Sequence, residues 1–272
     1  MMKKRLRRTQ LLPFMANLPA CLIGMEACSG AHHWARRFGE MGHQCKLIPA
    51  QYVKAFVRGN KNDDNDALGI AEAVRQPQMR FVAIKTTAQQ DAQALYRLRE
   101  QRIKERTALG NQLRGLLAEH GIVVNRGINV LRRRLPELLA APDNGLSPLF
   151  RQLLNQGYQQ LQQLDRHIDD YTALLTTLSR QNEACQRLQT IPGFGPINAS
   201  VFASVVGNGS GYRCGRDLSA SLGIVPRQHS TGGKSTLLGI SKRGDRYLRS
   251  LLIHGARAVV KQAAGKTDRL SR

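Results

Sequence analysis

Cys21-Leu-Ile-Gly-Met-Glu-Ala27 is a nearly continuous apolar run that ends in a single acid. Such a run is typical of a strand buried on both faces. Ser29 and Gly30 break it. Ala31 to Met41 then reads as a helix with Gly42 as its stop. Gln44 to Ile48 reads as a second buried strand, and Pro49 opens a further helix toward Arg58. Asn62 or Asp63 caps a helix through Arg75, with Leu68, Ile70, Ala71 and Val74 as its apolar members. Phe81 to Lys85 reads as another short strand. Lys3 to Arg8 reads as a charged edge strand, and Thr9 to Asn17 as a short helix. Strand–helix alternation over residues 1–85 argues for an α/β layer.

From Thr87 the character changes. Residues 87–120 form one helical pattern, roughly 50 Å long at the usual rise per residue, with Leu95, Leu98, Leu109, Leu113 and Leu116 on its apolar side. Val123 to Ala141 carries the basic run Arg132, Arg133 and Arg134, and Pro142-Asp-Asn-Gly145 marks a turn. A second long helix runs from Pro148 to about Arg180. Its Leu154, Leu161, Ile168 and Leu175 recur at heptad spacing, with Leu164, Tyr171 and Leu178 completing a coiled-coil seam. The two long helices are expected to pair antiparallel, as a protruding arm or as the core of an ordinary bundle.

The chain has 272 residues and a formal net charge of +22. That length suits about two domains. Solubility does not require so large a positive excess, which points to a polyanionic partner, nucleic acid before membrane. No apolar run approaches the ~18 residues of a membrane span, and the basic start is not followed by the apolar segment of a secretory signal. Five scattered cysteines, Cys21, Cys28, Cys45, Cys185 and Cys214, show no paired spacing. They suit reduced thiols in a cytoplasmic protein and argue against a disulfide frame or a zinc site. His32, His33 and His43 lack metal-ligand spacing and read as packing or surface residues.

Residues 183–262 read as a compact helical module around Thr190-Ile-Pro-Gly-Phe-Gly-Pro-Ile-Asn-Ala199. The pattern is helix, tight turn, helix. Gly193 and Gly195 either expose backbone N–H groups to a DNA phosphate, as in a helix-hairpin-helix, or allow two helices to pack closely. Farther on, Pro226 to Ser235 reads as an irregular Gly/Ser-rich loop, and Arg246 to Val260 as a last helix carrying Arg246, Arg249 and Arg257.

Two stretches carry candidate chemistry. Glu26 at the end of a buried strand is a costly charge, and Asp63 and Asp66 lie three apart on one face of a helix start. Three acids from different elements suit Mg²⁺, a hard cation that takes oxygen ligands and assists phosphodiester transfer. The alternative is that the aspartates merely cap their helix. Asp64 is expected to face solvent. In the second stretch, Ser230 and Thr231 offer hydroxyls beside Arg227, His229, Lys234, Lys242 and Arg243. A hydroxyl attacks a phosphodiester when cations stabilise the developing charge. The alternative is a basic loop that grips phosphate without chemistry.

Several blocks resemble the DEDD transposases of the IS110 family, and its IS1111 branch most closely. They are Met25 to Ala35, Asn60 to Ala67, Arg114 to Ile122, Ile191 to Pro196, and Gly223 to Lys234 running into Gly239 to Arg249. The resemblance covers nearly the whole chain. It implies a RuvC-like (RNase H-like) α/β domain over residues 1–86, a coiled-coil arm over 87–182 and a helical transposase domain over 183–272. It also implies mobile-element recombination on DNA, an element-encoded guide RNA, and homo-oligomers up to tetramers. Glu26 matches the family's second acid and Asp63 and Asp66 its last two, while the nucleophile falls on Ser230 or, in a shifted register, Thr231. No residue here matches the family's first acid, which lies on a Gly-Ile-Asp-x-Ala-Lys strand, so this copy is expected to be a truncated one with impaired recombination. A non-catalytic DNA- or RNA-binding remnant and a helix-hairpin-helix repair nuclease are the competing readings.

Overall fold

The computed structural model describes residues 4–60 and 62–263. The N-terminal elements are α1 (Arg8–Ala16), β1 (Leu22–Glu26), α2 (Ala31–Glu40), β2 (Gln44–Ile48), α3 (Ala50–Val53) and α4 (Asp63–Ala73). Next come α5 (Thr87–Glu119), α6 (Ile128–Ala140), α7 (Pro148–Gln181), α8 (Glu183–Gln189) and α9 (Pro196–Val206). The chain continues through α10 (Gly215–Ser221), the strands β3 (Pro226–Thr231) and β4 (Lys234–Ile240), and α11 (Arg246–Ala263). These elements fall into two compact units, each discontinuous in sequence, where three consecutive segments were expected. One comprises the described part of Met1–Gln90 with Val206–Gly244, and the other Asp91–Val205 with the described part of Asp245–Arg272.

In the first unit β1 and β2 pair in parallel, with Leu22 opposite Gln44 and Glu26 opposite Ile48. The crossover is α2, whose Ala31, Ala35 and Phe38 are buried at the spacing of one helical face. Ala31 and Ala35 join Leu47, with Met25, Cys45 and Val82 packed around them. Alternate side chains of a strand point to opposite faces, so Leu22, Gly24 and Glu26 share the other face. That face carries α4: a Cβ on Gly24 would stand 3.0 Å from Ile70 Cγ2 and 3.1 Å from Val74 Cβ. Beneath α4 a second cluster forms from Ile48, Val53, Ala73 and Val74.

Three strand expectations need correction. Phe81 to Lys85 contributes only a bridge, in which Val82 N–H donates to Leu47 O at 2.7 Å. The segment is instead tied to α2, where Arg36 donates to Lys85 O at 2.5 Å and His32 Nδ1 accepts from Lys85 N–H at 3.2 Å. Lys4 to Arg7 forms no strand, and Lys3 lies outside the described residues. Arg7 N–H donates to Gln10 Oε1 and so opens α1. Nor is β1 buried on both faces, since Leu22 is 43% exposed.

In the second unit α5 and α7 run antiparallel. Arg99 Nε donates to Thr172 Oγ1 at 2.7 Å, Arg106 Nη1 to Asp165 Oδ1 at 3.0 Å, and Leu113 lies against Gly157. Positions rise along one helix as they fall along the other. Leu154, Leu161, Leu164, Ile168 and Leu175 are buried, as the heptad spacing implied, whereas Tyr171 is half-buried and Leu178, at the end of the expected seam, is exposed. The stripe on α5 agrees with its sequence reading only in part: Leu113 is buried as expected, but Leu98 and Leu116 are exposed, and Tyr96, Gly110 and Leu117 are buried in addition. The basic segment folds back as α6, whose Leu131, Leu135 and Leu138 complete a core with Leu113, Leu117, Leu154 and Leu161. Arg132 also reaches Asp165, so one carboxylate joins all three helices.

Candidate functional site

Asn62 is the N-cap of α4: its Oδ1 accepts from Asn65 N–H at 2.7 Å. The capping task that competed for Asp63 and Asp66 is therefore done by a neighbour. Asp63 is exposed, Asp66 half-buried and Asp64 exposed. Glu26 is half-buried at the C-terminal end of β1, on the sheet face that α4 covers. The three acids thus share one side of the sheet. They do not close into a ready-made centre, because no three His, Cys, Asp or Glu side chains among the described residues are grouped to hold a metal ion. Their chemistry suits a hard divalent cation, for which carboxylate oxygens are the ordinary ligands.

The stretch read as an irregular loop is a β-hairpin, also in the first unit. Ser230 pairs with Ser235 and Thr231 with Lys234. The two-residue turn Gly232–Gly233 has φ of 54° and 75°. Positive φ at both positions is what a type I′ turn requires, and glycine supplies it without a Cβ penalty. Ser230 and Thr231 therefore project from opposite faces of the ribbon. Ser230 shares its face with Gln228, whose Nε2 donates to Ser230 Oγ at 2.7 Å, and with Ser235 and Leu237. Thr231 shares the opposite face with His229, Lys234 and Thr236. Arg227 lies at a register shift between Pro226 and Gln228. Both strands are exposed almost throughout.

At its base the ribbon continues past the named strands. Ser241 N–H donates to Val225 O at 2.8 Å and Lys242 N–H to Gly223 O at 3.0 Å. Lys242 and Arg243 are exposed there. Lys242 has φ 56°, unusual for a residue with a Cβ.

The turn between α8 and α9 lies in the second unit, and its two glycines differ. Gly193 has φ 88°, and a Cβ there would stand 2.9 Å from Gly255 C and O in α11. Asn198 Nδ2 donates to Gly193 O at 2.9 Å and to Leu251 O at 3.3 Å. Gly193 thus serves close helix packing, one of the two roles open to it from the sequence. Gly195 is exposed, with nothing near its missing Cβ. On α11, Arg249 is buried. Exposed Arg246, His254, Arg257 and Lys261 recur at the spacing of one helical face. Sequence reading named Arg246, Arg249 and Arg257 without dividing them by face, and helical periodicity would have made that division.

The profile described as the Transposase IS116/IS110/IS902 family matches residues 185–270. The profile of the IS110 DEDD transposases, described as Transposase, matches residues 4–122. The transposase for insertion sequence element IS1111A of Coxiella burnetii is 48% identical over 269 residues, which span 98% of this chain and 74% of that protein. The chain belongs to the IS110 family of transposases. A probable family 20 transposase of Pseudomonas aeruginosa is 44% identical over 99% of this transposase and 80% of its own length. The transposase for insertion sequence element IS1328 of Yersinia enterocolitica is 43% identical, covering 100% of this chain and 80% of its own. The protein is an insertion-sequence transposase, a DNA-binding protein of the DEDD class, which works with divalent metal ions. No helix among the described residues is long and apolar enough to cross a membrane.

Proposed function

We propose that the transposase exchanges DNA strands with two chemical stations: an acidic one at Glu26, Asp63 and Asp66, and a hydroxyl-bearing one at Ser230 or Thr231. The observation that carries the acidic station is the cap. Asn62 is the cap of α4 and Glu26 lies on the sheet face beneath that helix, so neither aspartate is spent as the cap; both stand in the first turn, where the helix dipole favours acids, with their carboxylates open to a metal ion. Glu26, Asp63 and Asp66 would hold Mg²⁺, which supplies Lewis-acid stabilisation of phosphate oxygens when bound. This chain's residues bring carboxylates to one side of a sheet and keep them partly accessible to the strand.

At the hairpin, a hydroxyl oxygen forms a bond to phosphorus as the P–O bond to one DNA sugar breaks; the hydroxyl proton passes to solvent, and the sugar oxygen leaves as a free strand end that takes a proton from solvent. Ser230 is the preferred nucleophile in the Ser-Thr-Gly-Gly stretch where the resemblance puts the family's serine. Gln228, which donates to its oxygen, orients it. Thr231 is the alternative, and its own face carries Lys234 and His229. Arg227, Lys234, Lys242 and Arg243 line the ribbon and its base and would neutralise backbone phosphates, with the exposed Gly195 turn as a further contact. A RuvC-like core, a coiled-coil arm, an element-encoded guide RNA, a homo-oligomer and a cytoplasmic setting complete the reading.

The test is the covalent protein–DNA adduct formed with Mg²⁺, the element's end sequence and the guide RNA. Ser230→Ala abolishes the adduct and leaves salt-dependent DNA binding intact, while Thr231→Ala retains it. The reverse pattern moves the nucleophile to Thr231. Adduct surviving both substitutions refutes the hydroxyl station and leaves a binding protein without this chemistry.

A further inference from the structure

Behind α3 and beyond the end of α4, the first unit contains a cavity of about 430 Å³ that none of the proposed chemistry uses. Half-buried Phe56 and Met79, which also pack against the Ile48 and Val74 core, help line it. Tyr52, 39% exposed, adds an aromatic wall. Gln51 and Gln78 contribute amides, each with two donors and an acceptor oxygen. Arg80 completes the lining. Its guanidinium is bridged to Asp217 Oδ1 at 3.3 Å within the same unit.

We propose that this cavity receives a single unstacked nucleobase of a single-stranded DNA or RNA segment. The volume lies within the range of small-ligand sites, ~300–1,000 Å³. Tyr52 and Phe56 offer ring faces, and stacking of this kind accepts every base. Glutamine amides match the mixed donors and acceptors of a base edge. Arg80 meets the phosphate beside that base, and Asp217 keeps the arginine at the cavity. A purely apolar guest would leave both amides without a partner in the guest, and a free anion would leave the rings and thioether without use. The proposal rests on the nucleic-acid role of the transposase, not on either chemical station.

The probe is a short single strand with one central 2-aminopurine, prepared as DNA and as RNA, with a blunt duplex as control. Binding to the full chain quenches the 2-aminopurine through stacking. Tyr52→Ala removes the quench and weakens single-strand binding roughly tenfold, the usual size of one lost stack, whereas Tyr52→Phe restores both. Duplex binding is unchanged by either variant. Replacing the probe base by an abasic site weakens wild-type binding to the level of Tyr52→Ala. Quenching confined to the DNA strand or to the RNA strand identifies the source of the base. Single-strand binding and quench that are the same in wild type and Tyr52→Ala overturn the cavity proposal, even with duplex binding intact. Absence of binding to any nucleic acid by the wild type overturns it together with the DNA-binding reading.

Discussion

Gly193 and Gly195 stand two residues apart in one turn, yet substituting them by alanine has opposite consequences. At Gly193 the backbone has φ 88°, and an added Cβ would lie 2.9 Å from the carbonyl carbon and oxygen of Gly255 and 3.2 Å from Val259 Cγ2. The first two atoms are backbone of α11 and cannot step aside as a side chain can. Holding alanine in left-handed space costs about 1–2 kcal/mol, and forcing a methyl into a filled contact about 1–3 kcal/mol. Gly193→Ala is therefore expected to lose about 2–5 kcal/mol. It also disturbs the pair of hydrogen bonds that Asn198 makes to Gly193 O and Leu251 O. Gly195→Ala meets open space and should stay within about 0.5 kcal/mol of wild type, the usual range of a surface change. Thermal and urea unfolding measure both, and DNA binding is compared at temperatures where each variant is folded. A Gly193→Ala protein as stable as wild type would show that the turn is not seated on α11. Gly195→Ala should weaken DNA binding without loss of stability if its backbone approaches phosphate.

Asp165 receives Arg106 and Arg132, and its side chain is only 19% exposed. Asp165→Asn should cost about 2–4 kcal/mol in urea unfolding, below the ~3–5 kcal/mol of a fully buried broken pair, and Asp165→Glu should recover part of it. His32 is held below its ordinary value of 6.5, mainly by burial and then by the Lys85 and Arg36 charges. Because the folded value is depressed, the stability from neutral His32 is complete above pH ~6.5 and is lost as pH falls through the lowered value. Unfolding measured from neutral pH downward should lose stability less steeply in His32→Asn than in wild type, and equal slopes would remove His32 from the account. DNA affinity should fall steeply with added salt as phosphate contacts release counterions; a flat titration would contradict the electrostatic reading of a chain with net charge +22.

Much of this was legible in the sequence because it rests on side chains with one strong preference. The apolar run ending at Glu26, the glycine stop at Gly42 and the leucine heptads on α7 each reported their element correctly. The hairpin escaped because a ribbon exposed on both faces has no reason to alternate apolar with polar residues. Its signal was the two-residue Gly232–Gly233 spacing. On α5 a list of leucines could not say which side meets a partner: the α6 and α7 leucines enclose Leu117, and Tyr247 of α11 stacks on Tyr96, so these are buried in place of Leu98 and Leu116. The acids were readable as types and positions, whereas their separation is set by how α4 lies on β1, which no local pattern encodes.

The glycine pair at the hairpin tip carries a further consequence. Each strand of the ribbon is a ruler with two sides, and the turn length sets which side a given hydroxyl occupies. One residue added between Thr231 and Lys234 is either absorbed as a three-residue bulged turn with the pairing kept, or slips the register and changes every cross-strand neighbour of Ser230 and Thr231. A register slip at this tip would exchange the surroundings of both hydroxyls without changing one side chain around them.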